Sequence, residues 1–194
     1  MEHEHIRYSE LNKLAETNGI VIFGMENDKN IPVGEIRQAL SIETKIYNRS
    51  FNKISVNNAI KIYDEYIDIL FPETLLIHIG EADKSLFEDN KEKFDENYRK
   101  LVRHIKNKNS NCCIVIVNLK NTNNNLIIEE MNKHLKDIAE SEQCEYGDIS
   151  SKQADNRNIP ESAVSFVFST GFVHPVRIKH SIYYLTSILF SYRS

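Results

Sequence analysis

The amino-acid sequence predicts an α/β fold in which a parallel sheet lies between two layers of helices. Along the 194 residues, short β-type runs alternate with longer segments of helical periodicity. The runs 74–79 and 113–117 are almost wholly apolar, as is typical of strands that are buried on both faces of a parallel sheet. Because strand–helix–strand repeats form right-handed crossovers, we expect a three-layer α/β/α sandwich with a five-stranded parallel sheet.

Helices are predicted where apolar residues recur at spacings of three and four, which places them on one face. Pro72 ends the first of these segments and Pro175 opens the last. With no internal repeat and no linker, residues 1–194 are interpreted as a single domain. The predicted strands are 21–23, 45–47, 74–79, 113–117 and 144–146. The apolar stripes are Ile60, Tyr63, Ile67 and Leu70; Phe94, Tyr98, Leu101, Val102 and Ile105; Ile128, Met131, Leu135, Ile138 and Ala139; and Ile178, Ile182, Leu185 and Leu189.

Composition narrows the classes of function. The net charge is −4 with scattered lysines and arginines, which argues against a nucleic-acid partner. No apolar run is long enough to span a bilayer, and the charged start is unlike a secretory signal. The three cysteines, Cys112, Cys113 and Cys144, form no CxxC motif and indicate core residues of a reduced, cytoplasmic protein. The oligomeric state is left open, a homo-oligomer included.

Candidate site residues follow the strands, because ligands bind beyond the carboxyl ends of the strands in such sheets. Neither a GxGxxG nor a GxxxxGK[ST] motif is present, so no nucleotide cofactor is predicted. Four segments qualify: 24–28, 48–51, 80–83 and 171–175.

In this order, the four segments resemble the motif blocks of the SGNH (GDSL-type) hydrolase family, from about residue 19 to the C-terminus. The resemblance implies a flavodoxin-like topology. It also implies a serine nucleophile after the first strand and a histidine base before the last helix. Gly24 matches the first block, but Met25 and Glu26 stand where the family has aspartate and serine. His174 matches the catalytic histidine, and Gly171 replaces its aspartate.

The two blocks that would hold the oxyanion are changed as well. Ser50 replaces a glycine, and Ala82 replaces an asparagine. Loss of one such donor typically slows hydrolysis about a hundredfold to a thousandfold. The other positions carried over from the family's cleft are Asn48, Arg49, Gly80 and Asp83.

We therefore expect the serine esterase mechanism to be absent and the residual cleft to bind a small ligand or partner. One alternative is an active hydrolase of a small acyl or carbohydrate-acetyl ester that uses Glu26, Ser50 and His174, with Ser85 as a second candidate serine. Another is a cluster of Glu26, Glu81, Asp83 and His174 that acts as acid and base or holds a metal. No spacing requires a metal, so none is predicted.

Each candidate also has a structural interpretation. His174 can cap the last helix, and Asp83 can hold its loop through backbone hydrogen bonds. Glu26 can face solvent, and Arg49 can pair with a neighbouring carboxylate. His78 lies in an apolar run and is interpreted as a buried core histidine.

Overall fold

The computed structural model describes residues 2–39, 41–121 and 123–149, together with Thr186 and Phe190. Five strands form one parallel sheet in the order β2-β1-β3-β4-β5, which confirms the predicted fold class. The strands are β1 Ile20–Gly24, β2 Ile46–Asn48, β3 Thr74–His78, β4 Cys113–Val117 and β5 Glu145–Gly147. The α-helices of the described part are α1 Glu2–Asn12, α2 Val33–Ala39, α3 Val56–Tyr66, α4 Lys84–Asp89, α5 Lys91–Lys108 and α6 Leu126–Ser141.

Strand β1 is the centre of the part of the sheet that carries the candidate site. It pairs with β3 from Ile20↔Thr74 to Gly24↔His78 and with β2 on its other side. Because all three strands are parallel, their carboxyl ends meet at one edge of the sheet. The loops that follow β1, β2 and β3 therefore lie side by side.

Both faces of the sheet are covered. The side-chain period of two sends alternate apolar residues of each strand to opposite faces. Val21 and Phe23 of β1 join one buried cluster, with residues of α3, α5 and α6. Ile20 and Ile22 join the other cluster, with Ile36 of α2 and with Phe190. The result is the predicted three-layer arrangement.

The long helices agree best with the sequence prediction. The buried residues of α5 and of α6 are the two stripes predicted for these segments. Strands β2 and β5 begin one residue later than predicted. Helix α1 was not predicted, because Glu4 and Tyr8 are its only buried residues among positions 4–12 and no apolar stripe marks it.

The predicted last helix, with His174 and Pro175, lies outside the described residues except for Thr186 and Phe190, which are helical and buried. In the described part of the chain, no helix combines the length and apolarity needed to cross a membrane. Cys112, Cys113 and Cys144 form no disulfide with one another. Burial raises the pKa of Cys112 to about 12 and that of Cys144 to about 11, so both are protonated and unreactive at neutral pH.

Two leucines of α6 test the packing of this core. Leu135 is fully buried and Leu126 is 78% exposed. We expect Leu135→Ala to lower the free energy of unfolding by about 2 to 5 kcal/mol, because it leaves a cavity. Leu126→Ala is the matched control and should change it by less than about 0.5 kcal/mol. Urea unfolding measures both, and equal effects would contradict the described orientation of α6.

Candidate functional site

A cavity of about 300 Å³ opens at the edge of the sheet where β1, β2 and β3 end. Each of the three following loops supplies one wall. The first wall is Met25, Glu26 and Asn27; the second is Lys53 and Ile54; the third is Glu81 and Ala82. The cavity thus lies where the sequence places the cleft, and it includes Met25, Glu26 and Ala82 from the predicted site residues.

The walls of the cavity carry charges of both signs. Glu26 and Lys53 are exposed, and among the described residues neither of them forms an ion pair. Within the same part of the chain, the ion pair of Glu81 is a long, exposed one with Lys84, at 3.4 Å. Charged groups without close partners remain available to a ligand in the cavity.

Both residues of the second wall, Lys53 and Ile54, lie outside the segments that the sequence singled out. Lys53 has an unusual backbone conformation. Its φ of 54° lies in the left-handed region, which glycine adopts at less cost than lysine. The sequence itself carries no signal for this conformation, because lysine is not a typical left-handed residue. The turn after β2 thus brings Lys53, rather than Ser50, to the cavity.

Ser50 and Asn48 lie at the carboxyl end of β2 but do not line the cavity. The Ser50 hydroxyl is fully buried and donates to Asn48 Oδ1 at 2.6 Å. The Asn48 amide donates to the carbonyl oxygen of Asp28 at 2.7 Å. These bonds fasten the end of β2 to the loop after β1.

Gly24 is placed where any side chain would collide with this network. A Cβ atom at Gly24 would lie 2.4 Å from Asp28 Oδ2 and 2.7 Å from Ser50 Oγ. The absence of a side chain therefore allows Asp28 and Ser50 to approach the end of β1.

A buried pair, Asp28 and His78, lies at the ends of β1 and β3. Asp28 Oδ2 accepts from Met25 N at 2.8 Å and is 2.8 Å from His78 Nδ1, and both side chains are fully buried. With Asp28 ionised, its carboxylate only accepts and Nδ1 carries the shared proton. Burial disfavours the charged imidazolium and lowers the pKa of His78. His78 is the buried core histidine that the sequence predicted; its partner Asp28 was not foreseen.

Asp83 joins the third wall to α3. Both of its carboxylate oxygens face the Val56 amide, at 3.1 and 3.3 Å. Burial raises the pKa of Asp83 to about 6, although the hydrogen bond from Val56 opposes this shift. The preceding Gly80 has a φ of 129°, a conformation open to glycine. Asp83 and Gly80 therefore shape the third wall from behind and do not line the cavity.

Arg49 also lies away from the cavity. Its guanidinium donates to Asn12 Oδ1 through Nε at 2.9 Å and through Nη2 at 2.7 Å. The same group stacks over the Tyr8 ring at 5.1 Å. Arg49 is therefore bonded to α1. The sequence suggested a neighbouring carboxylate as its partner, but the structure shows the amide of Asn12 there.

His174 and Gly171 fall outside the described residues, so the structure does not place the predicted base. Within the described ranges, no group of three or more histidine, cysteine, aspartate or glutamate residues is arranged to hold a metal ion. Glu26 and Glu81 share the cavity, whereas Asp83 is turned towards α3.

Solved structures of GDSL-type hydrolases share this fold. A GDSL-like lipase from Bacteroides thetaiotaomicron is 12% identical, with a TM-score of 0.60 over 95% of this chain and 97% of that chain. A psychrotrophic esterase from Pseudoalteromonas is 14% identical, with a TM-score of 0.59 over 91% of this chain and 96% of that chain. No protein-family model and no curated protein sequence matches the chain. The chain has the SGNH (GDSL-type) hydrolase fold, as the sequence resemblance implied.

Two glycines test the crowding at the end of β1. We expect Gly24→Ala to destabilise the protein by about 1 to 3 kcal/mol, because its Cβ collides with Asp28 and Ser50. At Gly34, in α2, an added Cβ would meet no other atom within 4 Å, so Gly34→Ala should be neutral or stabilise by up to about 1 kcal/mol. Thermal unfolding compares the two, and an unaffected Gly24→Ala protein would contradict the geometry described.

The raised pKa of Asp83 predicts that the stability of the protein depends on pH. A carboxyl with a pKa of about 6 in the folded protein and about 3.9 when unfolded keeps its proton longer in the folded state. Its contribution to stability is therefore full below about pH 4 and is lost as the pH rises to about 6. Asp83→Asn removes this loss, so its stability relative to the wild type should rise between pH 4 and 7 by about 1 to 2 kcal/mol.

Urea unfolding at pH 4, 5, 6 and 7 measures this difference. Asp89→Asn, at an exposed aspartate of α4, is the matched control for the loss of one formal charge. A difference between Asp83→Asn and the wild type that stays constant over this range would contradict the role of burial.

Proposed function

We propose that the protein binds a small amine-bearing ligand in the cavity and no longer performs serine ester hydrolysis. The observation that carries this proposal is the position of Glu26. It replaces the nucleophile of the family motif, and it lines the same cavity as Glu81.

The charges of the walls oppose the chemistry of an esterase. Ester hydrolysis develops negative charge on the substrate oxygen, and an active site stabilises it with aimed hydrogen-bond donors. Here the first and third walls present the carboxylates of Glu26 and Glu81, and Ala82 offers no side-chain donor. An oxyanion formed between these walls would be repelled by both carboxylates, and Lys53 is the one cationic side chain among the described lining residues that would attract it.

Ser50 gives weak support to the alternative of an active hydrolase. Its hydroxyl is buried and donates to Asn48, so an attack on a substrate would first have to break that bond and uncover the side chain. Because its hydroxyl is buried, Ser50 is not accessible as a nucleophile, and its hydrogen bond to Asn48 supports the structure of the cleft. This favours binding over hydrolysis.

The remaining lining supports a ligand of mixed character. Met25, Ile54 and Ala82 provide apolar contact, while Glu26 provides an exposed carboxylate that forms no ion pair with another described residue. A volume of about 300 Å³ is at the lower end of the range for small-molecule sites. A small apolar body with one protonated amine satisfies both features, and Lys53 disfavours a second cationic group.

Three probes of similar shape test the proposal: benzylamine, benzyl alcohol and benzoate. We expect ligand-observed NMR to rank benzylamine first, because its ammonium group faces Glu26. Glu26→Gln should reduce that preference by about two- to fivefold, which is the scale of an exposed ion pair.

Tryptophan variants locate the binding. Ala82→Trp fills the third wall and should abolish the signal, whereas Ala39→Trp, at an exposed alanine of α2, should leave it unchanged. Equal signals in the two variants would place binding outside the cavity and contradict the proposal. Stoichiometric labelling by a serine-directed fluorophosphonate would also contradict it. The Pseudoalteromonas esterase, which was solved in a form inhibited by monoethylphosphonate, is the positive control for labelling.

A further inference from the structure

We propose that helix α1 is a latch on the cavity and that Lys29 is the positioning residue through which it acts. The proposal concerns how the cavity is held in shape, and it does not depend on which molecule the cavity binds. It rests on a chain of polar contacts that joins α1 to the first and second walls.

Lys29 is the point where three segments meet. It belongs to the short 3₁₀ turn Glu26–Asn30, which begins in the first wall. Its ammonium group donates to Glu4 Oε1 of α1 at 2.8 Å and to Asn52 Oδ1 at 3.0 Å. Asn52 immediately precedes Lys53 of the second wall. One amine therefore fixes two cavity walls to each other and to α1.

The contacts of α1 with the same loops strengthen this link. Tyr8 OH donates to the Ser50 carbonyl at 2.7 Å. Asn12 accepts two hydrogen bonds from Arg49. Both partners belong to the loop that leads into the second wall. Further contacts of α1, through His5 and Asn12, reach Tyr66 of α3.

The way α1 is held makes it suited to local release. Among positions 4–12, Tyr8 is the one buried apolar residue of α1, whereas Ile6 and Leu11 are exposed, so the helix buries little apolar surface against the domain. Segments with few buried apolar contacts open at lower free energy than the core does. The Lys29–Glu4 bond is more than an exposed pair, because the side chains are only 26% and 6% exposed. Its loss leaves Lys29 without its acidic partner and loosens both walls together.

Hydrogen exchange of the full-length protein tests the latch without any ligand. We expect Lys29→Met to raise exchange by about tenfold in α1 and in residues 26–30 and 50–54, the scale for loss of a hydrogen bond to a charged group. Exchange at 98–105 in α5 and 131–139 in α6 should not change. Lys13→Met is the matched control, because it breaks an exposed lysine–glutamate pair at the end of α1. Lys29→Arg should restore most of the protection.

Tyr8→Phe separates a latch from a merely local bond, and it is a milder change if Lys29→Met fails to fold. Among the described residues, the Tyr8 hydroxyl bonds to Ser50 and has no hydrogen bond to residues 26–30. A latch that opens as a unit predicts faster exchange at 26–30 as well as at 50–54. Faster exchange at 50–54 alone, a uniform rise that includes α5 and α6, or no change would each overturn the proposal.

Discussion

The buried hydrogen bonds of Asp28 are the interaction on which the rest of the site depends. Its carboxylate accepts from Met25 N in the loop after β1 and from His78 at the end of β3, while its carbonyl accepts from Asn48 of β2. One residue therefore joins the ends of three strands. Because both side chains of the Asp28–His78 pair are fully buried, removing either one would leave its partner with a lost hydrogen bond in a site closed to water. The walls of the cavity are built on this support.

The sequence predicted the fold best where packing alone decides the structure. The stripes of α5 and α6 and the apolar run of β4 are dictated by burial, so their periodicity is visible in the chain. Helix α1 was not predicted, for the opposite reason. It is held by the hydrogen bonds of Tyr8 and Asn12 to distant loops, and such contacts leave no period in the sequence.

The site was predicted in part. The motif order placed Glu26 and Ala82 at the ends of neighbouring strands, and both line one cavity, because the ends of parallel strands must converge. It could not tell that Ser50 and Arg49 turn away from that cavity, since side-chain direction in a loop depends on partners such as Asn48 and Asn12. Lys53 was missed because its left-handed backbone has no signature in the residue type. His174 remains a sequence prediction.

The crowding around Gly24 divides the site into positions that do not tolerate a larger side chain and positions that do. Beneath the cavity, Gly24 and Asp28 lie within contact distance of each other, and a single added carbon has no place to go. Above them, Glu26 and Ala82 are exposed, so almost any side chain fits there without disturbing the sheet. A scaffold of this kind can replace its chemical groups one at a time while it keeps its shape. Substitutions at these exposed positions can therefore change a catalytic site into a binding site without any one of them unfolding the protein.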